Sequence, residues 1–122
     1  MNKIYKAKGT QDFLPEDMSK WSQIIKQIHT IMNSYNYGQI STPIFENTNL
    51  FNRSIGQETD IVNKEMYSWI DQGGKSLTLK PEQTASVVRA YIENNMQATS
   101  TVNKLYYIEP LFRRERPQKG RF

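Results

Sequence analysis

Leu111-Phe112-Arg113-Arg114-Glu115-Arg116-Pro117-Gln118-Lys119-Gly120-Arg121-Phe122 gathers four arginines and one lysine into nine residues. Each arginine offers a planar fork of donors that can hold a phosphate through two bonds at once. Lys119-Gly120-Arg121, following Pro117, reads as a turn able to close over a polyanion. The excess charge is local: residues 104–122 hold six basic and two acidic side chains, which accounts for the whole formal charge of +4, while residues 1–103 carry ten of each sign. If the strand-like run Leu105-Tyr106-Tyr107-Ile108 continued forward, Arg113 and Glu115 would share one face and Arg114 and Arg116 the other. Such a strand presents a one-sided charged groove. A solvated basic tail fits the same residues.

Other chemistry is scarcer. Pro81-Glu82-Gln83-Thr84 taken alone is an ordinary helix start. His29 stands alone and is expected to be neither ligand nor base. There is no cysteine, which removes disulfide frameworks, thiolate metal sites and a cysteine nucleophile together. The first 30 residues contain no apolar signal region, and no apolar run approaches the roughly 20 residues of a membrane span. A soluble cytoplasmic protein is the expectation. At 122 residues the chain suits one domain or part of one, burying roughly two-thirds of its unfolded surface. Seven Tyr, five Phe and two Trp argue for a folded core rather than disorder.

These residues need elements to hold them. Residues 1–13 read as an arm or loop around Gly9. Leu14-Pro15-Glu16-Asp17 opens a helix, with proline in its first turn and acids near the positive end of its dipole. Met18, Trp21, Ile24, Ile25, Ile28, Ile31, Met32 and Tyr35 recur at three- and four-residue spacing, an amphipathic helix ended by Asn36-Tyr37-Gly38. Pro43 interrupts a strand from Gln39 to Glu46, which must therefore lie at an edge or interface. A short helix covers Thr48 to Ser54, and a polar loop runs from Gly56 to Asp60. Met66 to Ile70 and Ser76 to Lys80 form a hairpin through Asp71-Gln72-Gly73-Gly74, with Leu77 and Leu79 on one face. A helix from Thr84 to Asn94 is expected to bury Val87, Val88, Tyr91 and Ile92. The order suits an antiparallel α+β sheet with flanking helices rather than a doubly wound parallel one.

Five ordered blocks then carry a resemblance: Lys8-Gly9-Thr10-Gln11-Asp12-Phe13-Leu14-Pro15, Thr42-Pro43-Ile44-Phe45-Glu46, Lys64-Glu65-Met66-Tyr67, Leu77-Thr78-Leu79-Lys80-Pro81-Glu82-Gln83-Thr84-Ala85, and Phe112-Arg113-Arg114-Glu115-Arg116-Pro117-Gln118-Lys119-Gly120-Arg121. Together they resemble the amino-terminal part of bacterial histidyl-tRNA synthetases. The resemblance implies a partial class II synthetase catalytic fold across residues 1–122. It makes the helix from Asp17 to Tyr35, with the strand ending at Pro43, the motif 1 that builds a homodimer. It makes Glu82 and Thr84 the histidine-binding residues that capture the α-amino group. Arg113 becomes the motif 2 arginine on the α-phosphate of ATP, Glu115 the reader of the adenine amino group, and Arg121 part of the loop touching distal phosphates and the tRNA acceptor end. ATP is then a substrate, Mg2+ accompanies its phosphates, and tRNA(His) is the final acceptor. Lys64-Glu65-Met66-Tyr67 is expected to be structural, and Arg53 and Arg89 solvated or ion-paired.

Three departures from the family pattern bear on this. Gln83 and Glu109 stand where the family usually has glycine, so each is expected to obstruct substrate approach or strain the backbone, and Glu109 to repel phosphates if it faces them. The sequence also stops inside the motif 2 loop, without motif 3 or the anticodon-binding domain. The expectation is a fragment of a histidine-activating ligase, inactive alone. Two alternatives stand beside it: a synthetase-like regulatory subunit of ATP phosphoribosyltransferase, and a non-specific RNA-binding arm on a dimerising core, whose affinity would fall steeply with salt.

Overall fold

A computed structural model describes residues 2–55 and 65–114, with no account of the side chains of residues 53–55. The expected loop from Gly56 to Asp60, and Lys64, Glu115, Arg116, Lys119 and Arg121, lie outside the described residues, as does the Arg53 side chain. The described residues fall into two compact units, one within residues 2–36 and one within residues 37–114.

The first unit is built on helix α1, Pro15–Ser34. Pro15 needs no amide partner at the first helical position, and the Asp17 carboxylate accepts from the Leu14 amide at 3.3 Å. Asn36 ends the helix at a φ of 64°, a left-handed conformation that asparagine tolerates better than most residues. Phe13 meets Trp21 edge-on at 6.0 Å between centroids. Along the helix Met18, Trp21, Ile24, Ile31 and Tyr35 form the expected apolar stripe, and all five are exposed.

The second unit contains β1 (Gly38–Gln39), β2 (Phe45–Asn47), α2 (Thr48–Ile55), β3 (Ser68–Ile70), β4 (Ser76–Leu79), α3 (Thr84–Glu93), a 3-10 turn (Met96–Ala98) and β5 (Leu105–Tyr106). β2, β4 and β3 form an antiparallel sheet in that order, with Thr78 opposite both Glu46 and Ser68. β2 is an edge strand, as Pro43 requires. The segments on either side of that proline part company, because β1 pairs in parallel with β5 in a separate two-stranded sheet. The hairpin turn closes as expected: Asp71 exchanges backbone bonds with Lys75 and Gly74, its carboxylate also accepts from the Lys75 amide at 2.8 Å, and Gly74 supplies a φ of +85°.

One expectation is borne out and two are corrected. First, Leu77 and Leu79 do share a face, with Phe45 and Trp69, whose rings meet at 5.6 Å, while the opposite face of the sheet is polar and turned inward. Thr78 and Lys80 are fully buried there. A ladder of hydroxyls explains how polar side chains can be inside: Thr48 bonds Ser76 at 2.7 Å and Thr78 at 2.8 Å, and Ser68 bonds Thr78 at 2.7 Å, so these groups are paired.

Second, α3 buries Ala85, Ser86 and Ala90, whereas Val88 is 50% and Ile92 65% exposed. Small side chains let the helix backbone approach closely, and Ala85 joins Phe51 and Met66 in the apolar core beside Leu50. Arg89 confirms the side of the helix that turns inward: its Nε lies 3.0 Å from Glu46 on β2, and it also pairs with Glu93. The ion-paired expectation for Arg89 holds.

Third, β5 ends at Tyr106, and residues 107–114 form no strand. Pro110 has no amide to continue one. Isolated backbone bonds tie the segment down instead, from the Phe112 amide to the Lys80 carbonyl at 2.9 Å and from the Arg114 amide to the Glu65 carbonyl at 2.8 Å.

Candidate functional site

The loop between β4 and α3 carries the residues with the most specific candidate roles. Lys80 leaves β4 with its amide still bonded to the Ile44 carbonyl at 3.0 Å, and Pro81 then prevents further pairing. Glu82 turns its carboxylate to the start of α3, where both oxygens accept from the Ala85 amide at 3.1 and 3.2 Å. The plain helix-start reading of this residue is therefore realised. A carboxylate has roughly four acceptor positions, so one amide leaves it capacity for an ammonium group. Thr84 is the first residue of α3 and is exposed.

Arg113 comes to this loop from the far end of the described chain. Its Nε donates to the Pro81 carbonyl at 2.9 Å, one residue from Glu82. Arg114 points elsewhere, with its guanidinium 5.8 Å from the centre of the Tyr67 ring, a distance at which cation and ring attract. The alternation expected for these two arginines is thus present although the strand is not. Glu115 and Arg121 lie outside the described residues, so Glu82, Thr84 and Arg113 are the candidate site residues that the structure describes.

Neither Gln83 nor Glu109 shows the backbone strain expected of a side chain at these positions. Gln83 has a φ of −101°, a region open to any residue, and its side chain is buried and donates from Nε2 to Thr42 Oγ1 at 2.9 Å. Glu109 turns inward as well. One of its oxygens accepts from the Thr42 amide at 3.0 Å, and the other lies 3.9 Å from Lys80 Nζ. Lys80 Nζ, completely shielded from solvent, also reaches the Thr42 carbonyl at 3.3 Å and its hydroxyl at 3.4 Å. Thr42 and Lys80 had no role in the sequence reading. Only their place beside prolines marked them, since contacts 38 to 67 residues apart leave no periodic trace.

Among the described residues no three His, Cys, Asp or Glu side chains come together as a metal cage, and no helix is long and apolar enough to cross a membrane. A cleft in the first unit, lined by Phe13, Asp17, Lys20, Trp21 and Ile24 among others, contains none of the candidate site residues.

Comparison with known proteins adds a lineage to this geometry. The family model described as histidyl-tRNA synthetase matches residues 9–121. The histidine–tRNA ligase of Solibacter usitatus is 56% identical over 119 residues, covering 98% of this chain and 29% of that protein. That of Desulfitobacterium hafniense is 55% identical with 98% and 28% covered. Among solved structures, the apo histidyl-tRNA synthetase of S. aureus matches with a TM-score of 0.75 at 46% identity, over 91% of this chain and 26% of that one. A Bacillus halodurans structure titled an ATP phosphoribosyltransferase regulatory subunit/histidyl-tRNA synthetase matches with a TM-score of 0.72 at 24% identity, covering 93% of this chain and 29% of that one. At that identity it shares the fold alone.

Proposed function

Because the chain belongs to the histidyl-tRNA synthetase family, we propose that residues 1–122 are the amino-terminal part of a class II catalytic domain in a cytoplasmic polypeptide that joins histidine to tRNA(His). In this reading Glu82 and Thr84 receive the ammonium group of histidine. The amino acid's carboxylate oxygen attacks the α-phosphorus of ATP, a new P–O bond forms, and the bond to pyrophosphate breaks. Arg113 holds the α-phosphate and draws off the charge that builds on its oxygens, a contribution that grows towards the transition state. A hydroxyl oxygen of the terminal adenosine of tRNA(His) then forms an ester with the histidyl carbonyl carbon as the bond to AMP breaks.

The contact between Arg113 Nε and the Pro81 carbonyl is the observation that carries the reading. It ties a guanidinium suited to a phosphate to the loop that carries Glu82, a carboxylate suited to an ammonium, so that groups for both substrates meet at one loop. Glu115 and Arg121 would extend the nucleotide contacts. Mg2+ would come with the nucleotide and supply charge neutralisation at its phosphates; among the described residues no three His, Cys, Asp or Glu side chains come together to hold it. The exposed stripe of Met18, Trp21, Ile24, Ile31 and Tyr35 supports α1 as a homodimer surface.

The chain spans 28–29% of the curated relatives quoted above, and the 122 residues alone should not catalyse the reaction. The test is histidine-dependent ATP–pyrophosphate exchange. The full natural polypeptide should support it and lose at least tenfold with Arg113→Ala, the loss of a charge-assisted contact of about 1.5–3 kcal/mol. Exchange by the 122 residues above an Arg113→Ala control, or no exchange by the full polypeptide, would refute the reading. The regulatory alternative drew support from Gln83 and Glu109, and that support weakens now that both side chains have internal partners. Binding to ATP phosphoribosyltransferase in place of exchange activity would restore it.

A further inference from the structure

Lys80 and Gln83 flank the Pro81-Glu82 pair, and both bond the same residue. Lys80 Nζ reaches the Thr42 carbonyl and hydroxyl at 3.3 and 3.4 Å, and Gln83 Nε2 reaches that hydroxyl at 2.9 Å. Thr42 is itself fixed from a third segment, its amide donating to Glu109 at 3.0 Å. We propose that Thr42, Lys80, Gln83 and Glu109 form a buried clasp that positions Glu82 for capture of an amino acid's ammonium group. The proposal rests on the role given to Glu82 above and adds the residues that act through it.

Several features separate a positioning device from ordinary core packing. Gln83 is the residue before α3 yet makes no capping bond to its own helix; its side chain is spent on Thr42 instead. Its carbonyl oxygen, Gln83 Oε1, is buried without a partner, a cost that general packing would avoid. Lys80 keeps a buried ammonium compensated by Glu109 at 3.9 Å where an apolar residue would serve stability as well. Thr42 has its own reason to be the hub. The residue before a proline is confined to extended backbone, which helps set its amide towards Glu109 and its carbonyl and hydroxyl towards the loop of Lys80 and Gln83. With both ends of Pro81-Glu82 tied to that point, and the Pro81 carbonyl tied to Arg113, the freedom left to Glu82 is largely that of its own side chain.

The decisive variant is Thr42→Val in the full natural polypeptide, which removes the hydroxyl and keeps the shape, with Thr42→Ser as the conservative return. Two readouts are taken. Hydrogen exchange of the peptide spanning Glu82–Val87 should quicken about fivefold, the equivalent of one ordinary hydrogen bond, while the Ser76–Leu79 strand stays protected. The KM for histidine should rise about fivefold or more, with kcat and the KM for ATP within about twofold, and serine should restore both readouts. Unchanged exchange at Glu82–Val87, or loosening of the hairpin to the same degree, would overturn the clasp. An unmoved histidine KM, or equal loss towards ATP, would overturn its link to ammonium capture. A wild-type polypeptide that lacks histidine activation would refute the proposed function, and the exchange readout would still decide whether the clasp orders the loop.

Discussion

Arg89→Met should destabilise the second unit far more than Glu93→Gln, although both remove an ion pair of the same arginine. The pair with Glu46 joins α3 to β2: Arg89 Nε is 3.0 Å from one carboxylate oxygen and 3.2 Å from the other, and the Glu46 side chain is 8% exposed. Removing one partner of a fully buried pair typically costs about 3–5 kcal/mol, because the remaining charge is left uncompensated. Arg89 is 28% exposed, so water screens part of the loss, and a cost of about 2–3 kcal/mol is expected. The pair with Glu93 is an i,i+4 contact whose acid is 67% exposed. Such pairs contribute about 0.3–0.5 kcal/mol.

Urea unfolding followed by tyrosine and tryptophan fluorescence measures both variants. A drop of 2–3 kcal/mol corresponds to about 10 °C in Tm for a domain of this size, well outside experimental scatter. Glu46→Gln combined with Arg89→Met should recover more than half of the loss, since the stranded charge is then gone. If Arg89→Met and Glu93→Gln cost the same, or the double variant is no milder than Arg89→Met, the pair does not hold α3 to the sheet and the argument from burial fails.

Two further outcomes follow from burial and exposure. Phe51 is fully buried in the core with Met66 and Ala85, so Phe51→Ala should cost about 3–5 kcal/mol, whereas Val88→Thr on the exposed side of α3 should stay within about 0.5 kcal/mol; the same urea series compares them. Ile24→Glu, on the open stripe of α1, should convert the full polypeptide from dimer to monomer in light scattering after size-exclusion chromatography, and a dimer that persists would remove α1 from the interface.

Local signals in the sequence suffice where a single residue dictates backbone geometry. Pro15, Asn36, Gly74 and Pro81 mark boundaries that the structure reproduces, and the spacing of α1 gives the stripe found there. Which side of an element faces inward is less legible. Val88 and Ile92 look like a core stripe on periodicity, but α3 is turned by Arg89 reaching Glu46 and by the close fit of Ala85 and Ala90. Leu77 and Leu79 share one face as their alternation predicts, yet the opposite face is the buried one, because Thr48, Ser68, Ser76 and Thr78 satisfy one another's hydroxyls at little cost. In both cases a contact across the fold outweighs hydrophobic patterning, and no window of sequence contains both partners. The candidate site divides the same way: Glu82, Thr84 and Arg113 were legible from their blocks, while Thr42 and Lys80, which hold the loop, were not.

Three prolines account for where the site forms. Pro43, Pro81 and Pro110 each lack an amide, so none can carry a ladder forward, and neighbouring backbone groups are satisfied by other means. Beside Pro43, the Thr42 amide goes to Glu109 and its carbonyl to Lys80. At Pro81 the carbonyl takes Arg113 Nε, and the preceding carbonyl of Lys80 takes the Phe112 amide. Beside Pro110, Glu109 is free of a strand's alternation and turns its carboxylate inward. The groups released by broken pairing are thus the same groups that bind the charged side chains around Glu82. Side chains can cross between segments there because the backbone no longer does. A glycine in place of Pro81 would restore a donor but also the freedom to pair or slide, and the positions of Glu82 and Arg113 relative to one another would no longer be set by the chain itself.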